Sequence, residues 1–334
     1  MEENIPYHHE RSVAVAAVRE AARLCRAVQA GISPDVIQKK DRSPVTVADY
    51  GSQALVCRML AEAFPEDPVI AEEDAAALRR PENAATLEKV VGHVRAFHPA
   101  AGAEDVLAWI DHGGAQEHSA RFWTLDPIDG TKGFLRGEQY AIALALIIDG
   151  EVTVAALACP NLPVEPGAVE RGVVYAAIRG QGTVRVPLAG PGAMVPVHVS
   201  TLEDVTQARF CESVESGHSS HDDAARVAEV LGITAEPVRL DSQAKYAVVA
   251  RGEADIYMRL PTRPGYVEKI WDHAAGMLVV TEAGGMATDV FGAPLDFSRG
   301  YRLEKNTGVI ISNGRFHDRI IAALEAVGVG RTAG

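Results

Sequence analysis

One short segment, Trp123-Thr-Leu-Asp126-Pro-Ile-Asp129-Gly-Thr131-Lys, concentrates residues that can bind metal and phosphate. An apolar strand delivers two carboxylates, Asp126 and Asp129, across a proline that fixes the turn. Carboxylate oxygens on a rigid frame are the ligands that hard divalent cations require. The backbone N–H groups of Gly130 and Thr131 can bind a phosphate oxygen if a helical turn begins there. Because Asp, Pro and Gly are also turn formers, either aspartate alone favours an ordinary turn.

Three further carboxylates lie at positions where strands end or helices begin. Glu72 follows a short apolar run, and alone it favours a solvated acidic loop. Asp272, in Trp271-Asp272-His273, opens a predicted helix, where an N-cap is the ordinary role of an aspartate. Asp49 opens another helix and is either a cap or a base directed toward a metal-bound water. A capping role and a catalytic role do not exclude each other.

Polar and cationic residues in the second half of the chain are candidates for binding an anion. His218 lies in a polar stretch, 214–221, that is rich in hydrogen-bond donors but also resembles the loop before a helix. Ser242 and Lys245 share the segment Asp-Ser-Gln-Ala-Lys-Tyr, in a locally apolar setting. Arg259 lies at a strand end, where a partly buried guanidinium needs an anion.

The hydrophobic pattern changes along the chain and predicts two domains. The first, 1–196, is predicted to be α+β, with the Pro- and Gly-rich segment 187–196 as the linker. The second, 197–334, alternates helices and strands and is predicted to be α/β. In the first domain the predicted helices are 11–30, 48–63 and 75–105, and the strands are 68–71, 121–125, 141–148, 152–158, 173–178 and 183–186. In the second the predicted helices are 222–231, 242–251 and 272–283, and the strands are 209–212, 254–258 and 308–312.

Composition narrows the class of protein. The 334 residues carry a formal net charge of −13, which argues against binding to nucleic acid polymers or membrane surfaces. The longest apolar run is much shorter than a membrane span, and the acidic start lacks the pattern of a secretory signal. Four scattered cysteines favour free thiols in a reducing cytoplasm over disulfides or a zinc site. We therefore expect a cytoplasmic protein, and the sequence leaves its oligomeric state open.

Four motifs in a fixed order resemble the inositol monophosphatase superfamily. They are Ser43-Pro-Val-Thr with Asp49, Glu72-Glu73, Asp126-Pro-Ile-Asp129-Gly-Thr131 and Trp271-Asp-His-Ala-Ala-Gly. The strings at 130–139, 213–221, 241–246 and 268–273 are similar to its 3′(2′),5′-bisphosphate nucleotidase branch. The resemblance covers residues 10–325 and weakens at 75–118 and 160–196. It implies a layered α/β/α/β/α sandwich, related to that of fructose-1,6-bisphosphatases, with the active site between two domains.

The resemblance also implies the cofactor and the residue roles. Two or three Mg²⁺ ions are expected, and lithium is expected to inhibit, with segment Lys39–Val47 a candidate to close over a weakly held metal. The implied metal ligands are the carboxylates of Glu72, Asp126, Asp129 and Asp272 and the carbonyl of Ile128. Asp49 and Thr131 match the pair that orients and deprotonates the attacking water. The positions that match nucleotide-binding residues are His218, Ser242, Lys245 and Arg259.

The expected reaction is hydrolysis of the 3′-phosphate of adenosine 3′,5′-bisphosphate, with its 5′-phosphosulfate form as a further candidate substrate. Metal-activated water is the expected nucleophile, and no protein nucleophile is suggested by the sequence. One alternative within the superfamily is an inositol monophosphatase or a sugar phosphatase of broad range. A second alternative is a metal- and nucleotide-binding sensor without catalysis, which the intact set of site residues disfavours.

Overall fold

The computed structural model describes residues 6–31, 36–38, 44–116, 119–190, 192–214, 219–263 and 265–330. Its helices are α1 His8–Ala30, α2 Val47–Ala63, α3 Ala84–Arg95, α4 Ala103–Asp111, α5 Thr131–Arg136, α6 His221–Leu231, α7 Ala244–Ala250, α8 Ala274–Glu282 and α9 His317–Val327. Its strands are β1 Val36–Gln38, β2 Pro44–Thr46, β3 Val69–Ala71, β4 Arg121–Asp129, β5 Ala141–Ile148, β6 Glu151–Pro163, β7 Arg171–Ile178, β8 Thr183–Pro187, β9 Val195–Val197, β10 Phe210–Glu212, β11 Val238–Arg239, β12 Ile256–Arg259, β13 Met286–Thr288 and β14 Val309–Ser312.

A seven-stranded sheet in the order β3-β4-β5-β6-β7-β8-β9 forms the larger of two main sheets. β3 runs parallel to β4, and the following neighbours are antiparallel. The predicted hairpin between β5 and β6 is confirmed, and its turn residues Asp149 and Gly150 have φ of 51° and 81°. Left-handed conformations at both positions are those of a tight hairpin turn whose twist matches the strands.

Side chains alternate across β5 and give the large sheet two different faces. Leu144 and Leu146 point to one side, where α1 and α2 pack. Ala143 and Ala145 point to the other, where α8 packs closely against β5, β6 and β7. Because an alanine face occupies little volume, the helix backbone approaches the sheet, and this sets how near α8 lies to the residues on β4.

The smaller sheet has the order β11-β10-β12-β14-β13 and lies beyond α7 and α8. On β12, Tyr257 points toward the layer of α7 and α8, whereas Ile256 and Met258 point toward α6 and α9 on the far side. The order of layers is therefore helix, sheet, helix, sheet, helix. This confirms the predicted α/β/α/β/α sandwich.

The side chain of Glu282 is one of the links between the middle helix layer and the large sheet, and it lies at the turn between β7 and β8. The carboxylate of Glu282, the last residue of α8, accepts hydrogen bonds from the backbone N–H groups of Gly180, Gln181 and Gly182 at 2.9, 3.1 and 2.9 Å. Both glycines have positive φ, which lets the three N–H groups converge. We call this contact the Glu282 clasp.

The predictions for two segments, 75–105 and 187–196, differ in kind from the structure. The single helix predicted over 75–105 is wrong: α3 ends at Arg95 and α4 begins at Ala103. His98 precedes Pro99, a position that disfavours helical backbone, so the chain turns there. The linker predicted at 187–196 ends in β9, which pairs with β8, and residue 196 lies inside that strand. The division into domains 1–196 and 197–334 stays a prediction.

Candidate metal and phosphate site

Strand β4 is longer than the predicted strand 121–125, and its additional C-terminal part carries the two aspartates of the motif 123–132. It continues through Asp126 to Asp129, and its register with β5 shifts between these two residues. Such an irregularity redirects side chains at a sheet edge. The parallel neighbour β3 ends at Ala71, and the N–H of Glu72 donates to the carbonyl of Leu125 at 3.2 Å. The two strands are parallel, so both place carboxylates at the same end of the large sheet.

Three aspartates lie close together at this end of the sheet. A carboxylate oxygen from each of Asp126, Asp129 and Asp272 lies within 4.8 Å of the other two. Asp126 is 2% exposed, and burial followed by the charges of Glu72, Asp129, Asp272 and Asp49 raises its pKa. Burial also raises the pKa of Asp129 and of Asp272, against the opposing charges of nearby cations. The cluster therefore holds more negative charge than its own surroundings neutralise.

The donor set fits a divalent cation. Asp126 Oδ1 is buried, and among the residues that the structure describes it has no hydrogen-bond partner. A buried carboxylate oxygen without a donor is costly unless a cation occupies the space before it. Hard cations such as Mg²⁺ take oxygen ligands from carboxylates and backbone carbonyls. The three aspartates are thus a chemically suitable metal site.

The other two predicted metal ligands lie beside this cluster. Glu72 is exposed and is not part of the group within 4.8 Å, but its charge contributes to the raised pKa of Asp126. The carbonyl of Ile128 accepts a hydrogen bond from Thr131 Oγ1 at 3.3 Å. The same hydroxyl lies 3.5 Å from Asp49 Oδ1, so the predicted catalytic pair is brought together.

The ordinary role of Asp272 taken alone, an N-cap of the helix that follows it, is not the one that the structure shows. Asp272 closes the short 3₁₀ turn Ile270–Asp272, and His273 occupies the N-cap position of α8 without a side-chain cap. Its carboxylate instead faces the guanidinium of Arg259 at 3.5 Å, as well as the other two aspartates. Asp272 is therefore oriented by charge rather than by the helix terminus.

A buried network supports Arg259 from behind. Arg259 Nε lies 2.9 Å from Glu268 Oε2, and the same oxygen lies 3.1 Å from His273 Nε2. His273 Nδ1 is 2.6 Å from the hydroxyl of Tyr246. Burial lowers the pKa of His273, which favours a neutral ring that donates from Nε2 and accepts at Nδ1. Burial opposes ionisation of Glu268, yet Arg259 and His273 outweigh it and lower the pKa to about 2.

The turn before α7, in the C-terminal half of the chain, contacts the acidic cluster. Ser242 has φ of 67°, unusual for a residue other than glycine, and this turns the N–H of Gln243 toward Asp129 Oδ2 at 2.5 Å. The side chain of Gln243 accepts from the N–H of Gly276 at 3.0 Å and donates to the carbonyl of Trp271 at 2.9 Å. It thus connects β4 to the start of α8.

Gly130 is required by this close packing. Its φ is 88°, and a Cβ there would lie 2.9 Å from Cβ of Ser242. The backbone after Asp129 can therefore approach the Ser242 turn only without a side chain. The predicted phosphate-binding N–H groups at 130 and 131 begin the six-residue helix α5.

Of the predicted nucleotide-binding residues not yet described, two are buried and hydrogen-bonded to nearby backbone, and the third lies outside the described part of the chain. Lys245 is 3% exposed, and its ammonium donates to the carbonyls of Leu240 and Ser242 at 3.1 and 2.7 Å. Burial lowers its pKa. Ser242 Oγ accepts from the N–H of Ala244 at 3.1 Å. His218 lies outside the residues that the structure describes.

Sequence reasoning gave no role to two buried glutamines. Gln53 of α2 donates to the carbonyl of Glu73 at 2.7 Å and accepts from its N–H at 3.1 Å, which fixes the turn that carries Glu72. Gln243 lies inside a string used for the resemblance, yet nothing in its type or spacing marked a bridging role. The available signal for Gln53 was an uncharged polar residue that directly precedes the apolar run 54–57 in a predicted helix.

Comparison with characterised families places this geometry in context. The profile of the inositol monophosphatase family matches residues 7–328. A 3′(2′),5′-bisphosphate nucleotidase of Emericella nidulans is 43% identical over 96% of this chain and 99% of its own length. A 3′(2′),5′-bisphosphate nucleotidase 1 of Arabidopsis thaliana is 44% identical over 95% of this chain and 96% of its own.

Solved structures agree with the fold. A Thermotoga maritima IMPase superposes with a TM-score of 0.65 at 20% identity, covering 96% of this chain and 98% of its own. An inositol monophosphatase from Anabaena superposes with a TM-score of 0.61 at 19% identity, covering 96% and 97%. Within the described residues, none of the helices combines the length and the apolarity needed to cross a membrane. From the profile match, the identities and the shared fold, the chain belongs to the inositol monophosphatase family.

Proposed function

We propose that this protein is a Mg²⁺-dependent 3′(2′),5′-bisphosphate nucleotidase, which hydrolyses the 3′-phosphate of adenosine 3′,5′-bisphosphate to give AMP and phosphate. The observation that carries the proposal is 43% identity, over nearly the whole of both chains, to a protein of that activity. The three-aspartate cluster supports a metal-dependent phosphatase in particular. A cytoplasmic location stays a prediction from the sequence.

Asp126, Asp129 and Asp272 would hold the metal, together with Glu72 and the carbonyl of Ile128. When bound, Mg²⁺ neutralises phosphoryl oxygens and lowers the pKa of water, so that a nucleophile exists at neutral pH. We propose that two or three Mg²⁺ ions bind in this site. Lithium inhibition also stays a prediction, since residues 39–43 of the segment assigned to it lie outside the described part of the chain.

Asp49 and Thr131 would prepare the attacking water. Asp49 is 1% exposed, so its carboxylate is a stronger acceptor than one in bulk water. The Thr131 hydroxyl would donate to Asp49 and accept a hydrogen bond from water. As the oxygen of that water bonds to phosphorus, the water proton would pass to Thr131 Oγ1 while the hydroxyl proton of Thr131 passes to the Asp49 carboxylate. The 3.5 Å separation is long, as is common for catalytic hydrogen bonds without substrate.

The C-terminal half would supply nucleotide selectivity. Burial raises the pKa of Asp129, and the charges of Lys245 and Arg259 oppose this rise, so both cations act on the acidic cluster and their charge can compensate an additional phosphate. The 3′-phosphate has the metal to neutralise it, whereas the 5′-phosphate needs side chains. Ser242 and His218 are assigned to the nucleotide on the resemblance.

The test is phosphate release from adenosine 3′,5′-bisphosphate, its 5′-phosphosulfate form, 3′-AMP and inositol 1-phosphate, with Mg²⁺ or with EDTA. We expect the bisphosphate to give the highest kcat/KM and EDTA to abolish turnover. Asp129→Asn should retain the fold and lose activity by at least about 100-fold, because an amide cannot offset cationic charge. Asp222→Asn, on an exposed position of α6, is the matched control.

Other outcomes would favour the alternatives. Faster turnover of inositol 1-phosphate than of the bisphosphate would indicate an inositol monophosphatase. Tight nucleotide binding with no phosphate release in Mg²⁺ would indicate a sensor. Near-normal activity of Asp129→Asn would exclude the proposed metal site.

A further inference from the structure

A cavity of about 510 Å³ lies between α1 and the segment that follows β8, outside the site described above. Its wall includes Arg19, Arg23 and Arg26 from α1, with Leu188 and Gly190 opposite. None of these residues belongs to the acidic cluster or to the assigned nucleotide site. The volume lies within the range of small-molecule pockets.

The cavity is locally cationic in a strongly acidic protein. Among the residues that the structure describes, none of the three arginines has a carboxylate within salt-bridge distance. Glu20, the acidic residue in the wall, is engaged elsewhere: its Oε1 lies 3.5 Å from Arg58 and 3.2 Å from His98. Three guanidiniums without a carboxylate partner around one cavity create a local positive potential in a chain of net charge −13, and such a potential attracts an anion.

The guanidiniums are held in place by the backbone and an aromatic ring. Arg26 donates to the carbonyls of Pro160 and Arg171, each at 2.6 Å, and Arg19 donates to that of Pro187. Arg23 lies over the ring of Phe97, 5.5 Å from its centroid. These neutral partners fix direction without cancelling charge, and Nε of Arg19 is buried with no hydrogen-bond partner in the described structure. The donors are therefore preorganised for an anion.

The spacing of the arginines indicates the size of the ligand. They follow at intervals of four and three residues, so they share one face of α1. Seven residues of helix span about 10 Å, more than one phosphate group can bridge. We propose that this cavity binds a small polyanion that carries two or more phosphate groups. This inference does not depend on the function proposed above.

The experiment is calorimetric titration of the full chain with tripolyphosphate in EDTA, which removes metal from the acidic site. Arg23→Gln is the test variant, since Arg23 is exposed and donates no hydrogen bond to the backbone of the described residues. Arg226→Gln, an exposed arginine of α6, is the control for the overall loss of one charge. Orthophosphate is the control for ligand size, and the melting temperature of each variant checks the fold.

We expect one tripolyphosphate per chain, with affinity reduced roughly 10-fold or more in Arg23→Gln and by less than about twofold in Arg226→Gln. Arg23→Lys should fall between the wild type and Arg23→Gln, because an ammonium keeps the charge without the planar fork. Orthophosphate should bind at least about 10-fold more weakly than tripolyphosphate. The proposal is overturned by no binding of tripolyphosphate to the wild type at millimolar concentration, by equal losses in the two glutamine variants, or by equal affinity for orthophosphate.

Discussion

Asp126 is both a candidate metal ligand and a residue that destabilises the folded chain when no metal is bound. Asp126 is buried among like charges, and one of its oxygens lacks a partner within the described structure. Such an arrangement raises the free energy of the folded state until a cation binds. Stability of this protein should therefore depend on metal through this residue more than through any exposed carboxylate.

The first prediction concerns Asp126→Asn. Without metal we expect the variant to be more stable than the wild type by on the order of 1–2 kcal/mol, the usual cost of a buried polar atom that lacks a hydrogen-bond partner. The amide removes a buried negative charge and can donate to the neighbouring carboxylates. Urea unfolding in EDTA measures the change, and Mg²⁺ should stabilise the wild type but not the variant. A less stable variant in EDTA would contradict the assignment of repulsion to this cluster.

The second prediction concerns Arg259, which is both a candidate for nucleotide binding and a neighbour of Asp272. Arg259→Ala should lower kcat/KM for 3′-AMP, because Asp272 loses its orienting charge. It should lower kcat/KM for adenosine 3′,5′-bisphosphate by roughly a further 10-fold, the contribution of one charge-assisted contact to the 5′-phosphate. Equal losses on the two substrates would leave Arg259 with the positioning role alone.

At the scale of elements, the site depends on how short connecting turns hold α7 and α8 against β4. The buried side chain of Gln243 contacts both the turn that precedes α8 and the helix itself. Removal of its amide would leave the carbonyl of Trp271 and the N–H of Gly276 without these hydrogen bonds at a buried position. Gln243 is thus a positioning residue for Asp272.

The third prediction is that Gln243→Ala raises the Mg²⁺ concentration for half-maximal activity by about 10-fold. The reason is that outer residues which orient metal ligands typically affect metal affinity by 10- to 100-fold. Titration of activity with Mg²⁺ measures this shift. Gln207→Ala, at an exposed glutamine, is the control. A lower kcat with unchanged Mg²⁺ dependence would place Gln243 in general packing instead.

The fourth prediction concerns the start of the smaller sheet, where the fully buried carboxylate of Asp255 accepts hydrogen bonds from Arg209 and Ser200. Burial opposes its ionisation, but these bonds outweigh burial and lower its pKa. Asp255→Asn should cost about 2–3 kcal/mol near neutral pH, less than a fully buried pair because Arg209 is 45% exposed.

The sign of the pH dependence of Asp255 follows from its lowered pKa. The stabilisation is complete above the pKa of the unfolded chain, about 4, and is lost as pH falls through the folded value. The stability difference between wild type and Asp255→Asn should therefore be constant from pH 6 to 8 and shrink below about pH 4. Urea unfolding at pH 7 and pH 3.5 measures both values. A difference independent of pH would contradict the ionised role.

Elements in which hydrophobic residues form a regular pattern could be predicted from the sequence. Elements that depend on tertiary contacts could not. The β5–β6 hairpin was predicted because apolar runs flank Asp149-Gly150. β11 and β13, of two and three residues, are too short to show a period. The carboxylates of the site were found by motif. Taken alone, Asp272 resembled a helix cap, because the local pattern carries no information about Arg259, 13 residues earlier in the chain.

At the scale of the whole molecule, the site is assembled from two layers. Asp126 and Asp129 belong to the large sheet, whereas Asp272 precedes a helix of the middle layer. One apolar cluster joins β5, β6 and β7 to α7, α8 and the smaller sheet. Because a packed core is not continuously deformable, the distances between the carboxylates are fixed by this cluster. We therefore expect metal binding to require little rearrangement of the layers.

The Glu282 clasp has a consequence for where this chain tolerates added length. Hairpin tips ordinarily accept inserted sequence, because their backbone faces solvent. At the tip formed by residues 180–182 all three N–H groups donate to the last residue of α8, so an extra segment there would break these hydrogen bonds between the middle layer and the sheet. The neighbouring loop between β6 and β7 carries no such bond to Glu282, and its Val169 is 95% exposed. An eight-residue Gly-Ser insertion after Gln181 should lower the melting temperature by several degrees, whereas the same insertion after Val169 should leave it nearly unchanged; equal melting temperatures would assign the clasp no part in holding the layers together.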